Sequence, residues 1–483
     1  MSEDWATGEI AGAKIPDQRR VTSLIRICDA LAEHPELSLT AACGPAVRQA
    51  AHRIFEHEET TVPGLLEGHY QETTRRCEGR PLVLIPQDTT VFVYKQNQIV
   101  GLARLNHLAK VRGLLGHSAL VLTPEGTPLG LWHVDLWGED AEHPQTPAQA
   151  RRRTWEERES YKWYEGLEAV AERLPPGTTG LLIQDREADL FDFLAAPRPE
   201  ALHLLVRASA DRKVEYERCG PRGDPEPQVP SPAGESGTER GKLFAVAASA
   251  PLVGICAVRV ARRSSRHGKP SQPEREAQVA VRLTEVRLQR PRTRADGTPR
   301  TPAEREVRLW VVAAREEDAP AGVEPLNWVL LSTLPVEDGE AACTMLRHYA
   351  KRWVIERLHY TLKSGLGAER LQIDDAVSLG HALALYYVVA WRLMHLTLAV
   401  RQDPEMPAGE LFSEGEITVL RLVTKRRVET AREAVTAVGC LGGYAPWKGA
   451  PPPGPKTLWH GLQRLDAMMI GWRLRPEELR PDL

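Results

Sequence analysis

The chain has 483 residues, 42% hydrophobic and 26% charged, with a formal net charge of −3 and a pI near 6.6. This length allows about two to four domains around substantial cores. The near-neutral balance excludes a uniformly basic nucleic-acid coat, so any phosphate-binding surface must come from local clustering of cations.

The cysteines, Cys28, Cys43, Cys77, Cys219, Cys256, Cys343 and Cys440, are scattered and contain no Cys-x-x-Cys pair. They point away from a zinc site or disulfide framework and towards a reducing compartment. The start, Met-Ser-Glu-Asp-Trp, has no signal-peptide pattern, so a cytoplasmic location is expected. The longest apolar helical stretch, 382–391, runs into Arg392 and His395 and reads as too short for a membrane span.

In chain order, apolar spacing through 21–31 and 46–55 predicts helices and almost no strand within residues 1–75. From 76 to 209 the pattern predicts strands at 82–94, 118–123 and 128–137, then a helix at about 148–174. A strand at 180–185, a helix at 189–195 and a strand at 202–207 follow, which is a mixed α/β order. Residues 210–324 begin with a Pro/Gly/Ser-rich stretch, 220–238, and continue with alternating strands at 278–288 and 306–314. A strand at 327–332 and a helix at about 339–364 come next. From about 376 onwards the pattern is helical, with a Pro/Gly break at 445–455.

Charge is unevenly spread. Between Arg259 and Arg300 twelve Lys/Arg face four acids, and smaller basic clusters occur at 151–153 and 425–427. The long tract reads either as a phosphate-binding surface or as a flexible, solvated loop.

Three acidic positions stand out. Asp88 interrupts the apolar, β-branched run 82–94, where a strand buried on both faces disfavours a charge. Asp185 ends the strand 180–185 in the segment Asp185-Arg-Glu-Ala-Asp189. The carboxyl end of a strand is a common place for active-site residues in α/β sheets, and a plain helix N-cap explains the same position. Glu356 belongs to a third group, Tyr349, Arg352, Glu356 and Lys363, at offsets of three, four and seven residues. On one helix these four share an arc of roughly 60°. A surface Arg352–Glu356 pair accounts for part of the spacing. Acids on two strands and a helix can instead converge into a two-metal site whose cationic neighbours hold a phosphodiester.

In this order, the Asp88-Thr-Thr segment, the Asp185-Arg-Glu-Ala-Asp189 segment and the Tyr349/Arg352/Glu356/Lys363 group resemble the motifs of DDE transposases of the bacterial insertion-sequence-four family. The segment Leu326-Asn-Trp328-Val-Leu-Leu-Ser-Thr resembles the strand carrying that family's base-stacking tryptophan. Gly367-Ala-Glu-Arg and Leu441-Gly-Gly-Tyr444 resemble later segments, while Arg48 to Phe55 is similar more weakly. The resemblance spans nearly the whole chain and is strongest from 81 to 373. It agrees with the family's β-rich insertion, since 97 residues separate the aspartates but 171 separate Asp185 from Glu356.

The resemblance implies an α/β fold with a ribonuclease-H-like mixed-sheet catalytic core at 76–209 and 325–375, and a β-rich insertion at 210–324. It also implies a helical DNA-end-binding domain at 1–75 and a helical dimerisation domain at 376–483. Asp88, Asp185 and Glu356 would be catalytic and would hold two Mg2+ ions, which Mn2+ can replace. Arg352, Lys363, Tyr349 and Arg207 would contact DNA phosphates, and Trp328 would stack on a base extruded from the duplex. The partners would be double-stranded inverted-repeat ends and target DNA, with a homodimer in the paired-end complex and no membrane. A core role for Trp328 is the plain alternative.

Two other classes stay open. A tyrosine recombinase using Tyr349, with His348 and Arg352 nearby, needs no metal but leaves Asp88 and Asp185 without a role. A domesticated, non-catalytic DNA-binding descendant or transposition inhibitor would keep only the binding surfaces.

Overall fold

The computed structural model describes residues 5–33, 43–94, 99–104, 111–138, 159–217, 238–260, 275–290, 306–320, 322–447, 449–450 and 452–474. The expected helical residues 148–158, the stretch 220–237 and the basic segments 151–153, 261–274 and 291–300 lie outside these residues.

The sheet is mixed and 12-stranded, in the order β2-β3-β1-β5-β6-β12-β11-β10-β7-β8, with β4 on β3 and β9 on β10. Its first half comprises β1 (Leu82–Tyr94), β2 (Ala103–Arg104), β3 (Arg112–Leu122), β4 (Pro128–Trp137), β5 (Thr179–Gln184) and β6 (Leu202–Arg207). β3 runs antiparallel to β1 and to β4, whereas β5 and β6 run parallel to β1. The second half comprises β7 (Lys213–Glu217), β8 (Thr238–Lys242), β9 (Leu252–Val260), β10 (Arg275–Gln289), β11 (Glu306–Glu316) and β12 (Asn327–Ser332). β12 pairs antiparallel with β6, so the inserted strands extend the same sheet from its edge.

Both faces of the central strands are covered, which explains why β1 reads as a continuous apolar run. Leu84 packs into one core while its neighbours Val83 and Ile85 pack into the other, as two-residue alternation requires. One face is closed by α5 (Lys162–Arg173), through Trp163 and Leu167, and by the short α6 (Phe191–Leu194). The other is closed by helices from both ends of the chain. These are α1 (Trp5–Ile10), α2 (Val21–Glu33), α3 (Pro45–Phe55), α4 (Val62–Cys77) and the long α10 (Ala376–Gln402).

α10 corrects one expectation. Its window Ala376–Leu398, with a mean hydropathy of 1.3, is long and apolar enough to cross a membrane, and 94% of that window is buried inside the protein. Arg392 and His395 do not end it, because both find internal acceptors, the carbonyls of Leu411 and Pro128. Helix α10 is thus hydrophobic on all sides because β4, α4, α2 and α3 surround it. Each fully buried side chain such as Leu383 or Leu385 adds about 1.5–3 kcal/mol.

The helix expected at about 339–364 is also divided. It consists of α8 (Gly339–Ala350), α9 (Trp353–Tyr360) and a π turn at Thr361–Gly365. At the junction the backbone N–H groups of Lys351, Arg352, Val354 and Ile355 all reach back three residues instead of four. This tightened turn is followed by a widened one, which breaks the single helical face over which the four signature residues were counted. The remaining helices, α11 (Glu414–Thr424), α12 (Ala431–Leu441) and α13 (Pro455–Leu474), share a separate core with the end of α10. Helix α7 (Leu243–Ser249) lies on the insertion strands β10 and β11 and was not anticipated from the sequence.

Candidate active site

The two aspartates meet through strand register. β1 and β5 pair in parallel from Leu82 opposite Thr179 to Pro86 opposite Ile183. The next pair, Gln87 and Gln184, keeps the same 97-residue offset, and Gln184 Nε2 donates to Gln87 Oε1 at 3.0 Å. Asp88 and Asp185 are one step further on, where β5 has ended and β1 continues beside β3. Gly166 of α5 allows this arrangement, because a Cβ there would lie 2.4 Å from Gln87 Nε2. Asp185 is also the cap of the turn Arg186–Ala188, accepting the Glu187 N–H at 2.8 Å. Asp185 thus follows the last residue of β5 and caps the turn after it.

Glu356 arrives from α9, and Arg352 joins it to the strands. The Arg352 guanidinium pairs with Glu356 and lies 3.7 Å from Asp88 Oδ2. Burial, helped by the charges of Asp185 and Glu356, pushes the Asp88 carboxyl up to about 7 against the pull of Arg352. The charges of Asp185 and Glu356 are therefore felt at Asp88. Among the described residues, no three His, Cys, Asp or Glu close around one point, and Glu356 is turned to Arg352. The donor set itself, hard carboxylate oxygens around an aspartate that is costly to ionise, fits a divalent cation such as Mg2+.

The other expected residues gather around the same carboxylates. Tyr349, at the end of α8, is 5% exposed. Burial raises its pKa, while Arg352 and the hydrogen-bonded Arg207 lower it. Arg207 donates from Nη2 to the Asn327 carbonyl at 3.0 Å, which ties the end of β6 to β12. The half-buried Trp328 meets Tyr349 edge to face, with ring centroids 5.0 Å apart. Lys363, on the π turn, places Nζ 5.6 Å from the Phe92 ring of β1. The fold thus brings all eight expected residues to the stretch of β1 beyond the end of β5 and to the adjoining ends of β6 and β12.

His359 of α9 also lies beside these carboxylates. Its Nδ1 is 3.9 Å from Asp88 Oδ2, and its Nε2 is 3.2 Å from Ser118 Oγ. Burial, with Lys363 and Arg352 nearby, brings its pKa down to about 3, so it is neutral at pH 7. Its one sequence signal is its position three residues after Glu356. Asp189, by contrast, is structural. It is 3% exposed, accepts the N–H groups of Ser209 and Ala210, and pairs with Arg212. Part of the basic tract is likewise used within the fold, since Arg275 pairs with Glu316 and Arg290 with Asp192.

Residues 2–60 match the transposase DNA-binding family. The match supports a transposase that binds DNA. Within it, α3 exposes Arg48, Gln49, His52 and Arg53 on its outer side while Ala51, Ile54 and Phe55 are buried. An exposed face of that composition suits phosphates and base edges.

Proposed function

We propose that this chain is a DDE transposase of the insertion-sequence-four family, with a ribonuclease-H-like core, that cuts the ends of a mobile element and joins them to target DNA. The observation that carries this reading is the shared 97-residue register, which extends the Gln87–Gln184 pair to Asp88 and Asp185 beside Glu356. The strand order, with β5 and β6 parallel to β1 on one side and the antiparallel β3 followed by β4 on the other, supports it.

In this reading Asp88, Asp185 and Glu356 would hold two Mg2+ ions. When bound, these supply Lewis-acid activation of the attacking oxygen and charge stabilisation at the leaving oxygen. Arg352, freed from some of its carboxylate pairing, clamps a backbone phosphate through its planar fork, and Lys363 adds a point charge. Tyr349 donates a hydrogen bond to the DNA backbone. Arg207 holds Tyr349 in place, and Trp328 offers its ring to a base extruded at a hairpin end. No covalent link between protein and DNA is needed. Two subunits, joined through the C-terminal helices, each bind one end and cut the other. The enzyme would work in the bacterial cytoplasm, where its DNA lies.

The test is strand cleavage on DNA carrying the element's ends. Asp88→Ala, Asp185→Ala and Glu356→Ala are each expected to lose at least about 10³-fold in cleavage while retaining end binding, and EDTA should abolish cleavage by the wild type. A wild-type protein that binds ends but cuts none with Mg2+ or Mn2+ would instead be the non-catalytic descendant. Cleavage that persists in EDTA and depends on Tyr349 would identify a tyrosine recombinase.

A further inference from the structure

On the opposite face of β12 from Trp328, between the insertion strands and α7, lies a cavity of about 350 Å³. Asn327 and Val329 line it, whereas the Trp328 ring turns to Tyr349, as alternation along a strand requires. Four guanidinium-bearing residues line its wall, Arg186, Arg207, Arg282 and Arg315, against the single carboxylate of Glu317. Among the described residues none of the four is held in an ion pair. Arg207 and Arg282 donate to the backbone carbonyls of Asn327 and Ala250, at 3.0 and 2.8 Å. Burial, with Arg186 and Arg352 close by, presses the Arg207 pKa down despite its contact with Tyr349.

The rest of the lining is small and apolar. Ala247, Ala280 and Ala313 form a bed without long side chains, and Phe244 adds a ring that remains 37% exposed. Four converging cations against one carboxylate favour an anion over a metal. An alanine bed beside an aromatic ring favours a flat apolar group, and guanidinium planes also stack on such groups. The volume lies near the lower end of small-ligand sites, with room for one nucleotide and none for a duplex. Because Arg207 belongs both to this cavity and to the cluster around Tyr349, a strand held at the carboxylates has a short route into it.

We propose that this cavity binds one unpaired nucleotide of a DNA strand, its base on the alanine bed beside Phe244 and its phosphate on Arg282 and Arg315. The proposal rests on the DNA-processing function above. The shared chemistry, a base with a phosphate, could also come from a free mononucleotide, and the experiment separates these sources.

The probe is a short fluorescent single-stranded oligonucleotide, titrated by anisotropy in EDTA across a range of salt concentrations. Arg315→Ala removes an exposed side chain and is expected to weaken binding about tenfold and to lower the salt slope by about one. Ala280→Phe fills the bed and should weaken binding with little change in slope. Unchanged affinity in both folded variants overturns the proposal. Deoxyadenosine monophosphate is expected to compete poorly, and competition at concentrations equal to the oligonucleotide overturns the assignment to a DNA strand. Metal-dependent cleavage is assayed separately. An inactive wild type counts against the function, whereas intact binding by both variants counts against the cavity alone.

Discussion

Gln184 donates to Gln87 across two parallel strands, and each glutamine immediately precedes one of the two aspartates. Both side chains are fully buried. The pair is a polar clamp within an otherwise apolar layer, at the last point where β1 and β5 run side by side. It sets the lateral position of Asp88 relative to Asp185.

Gln184→Leu leaves Gln87 buried without its partner and is expected to cost about 1–3 kcal/mol in urea unfolding. The double change Gln87→Leu with Gln184→Leu should recover most of that loss, because no orphaned amide remains. Single-turnover cleavage by the double variant is nevertheless expected to stay down by about 10²-fold, through misplaced carboxylates. Wild-type cleavage in the double variant would remove the alignment role.

Trp328 makes an edge-to-face contact with Tyr349, so it has both a packing role and an available ring surface. Trp328→Ala is expected to lower stability by about 0.5–1.5 kcal/mol beyond the lost area. Nicking should persist while hairpin products diminish, and Trp328→Phe should restore part of the hairpin yield. Gels resolving nicked, hairpin and blunt products, read beside thermal melts, check this; equal loss of all three products points to packing alone.

Glu9 of α1 joins the DNA-binding segment to the rest of the protein. It accepts from Arg76 at 2.6 and 3.1 Å and from His69 Nδ1, while His69 Nε2 accepts the Leu131 N–H of β4 at 3.0 Å. That last bond requires a neutral His69, in line with its burial-lowered pKa. Burial alone would raise the Glu9 pKa, but Arg76 and His69 hold it down at about 2, from an ordinary 4.5. A depressed carboxylate stabilises the fold above its unfolded pKa, and that contribution fades as pH falls from about 4.5 towards 2. Glu9→Gln should therefore be markedly less stable than wild type at pH 6, by about 3–5 kcal/mol if Arg76 is left unpaired. The gap should narrow by pH 3. A gap independent of pH in denaturant titrations would show that charge is not the cause.

Leu422 and Val423 of α11 are 54% and 46% exposed, and Trp447 is 68% exposed, all within the C-terminal helical region. If two subunits meet there, Leu422→Glu with Val423→Glu should leave single-end binding unchanged and lower the paired-end complex at least about tenfold in light scattering on DNA. This is a sharper test than deleting residues 376–483, because α10 is buried in the main core and its removal would unfold the protein. Undiminished pairing would move the interface elsewhere.

Much of the architecture was readable locally. The strand expected at 82–94 is β1 residue for residue, and 128–137, 202–207 and 327–332 also agree with their strands. Two-residue alternation and β-branching are local signals, and they survive in a sheet whose faces are both covered. Helix α7 and the tightened turn before α9 left no such mark. The first is a short, almost wholly apolar segment set within an insertion, with no periodicity to show, and the second contains no proline or glycine to announce a break.

For the candidate site, the sequence by itself singled out the side chains on which the proposal rests. Asp88 stood within an apolar strand that should hold no charge, Asp185 at the carboxyl end of another, and Glu356 among cations at helical spacing. Only the tertiary structure decided how these groups act on one another. It placed Arg352 between Asp88 and Glu356, His359 against Asp88, and a ring of arginines on the far side of β12. Periodicity reports which face of an element is buried. It carries no information about which distant element will cover that face, and burial with neighbouring charge, rather than residue type, is what shifts a carboxyl or leaves a guanidinium without a partner.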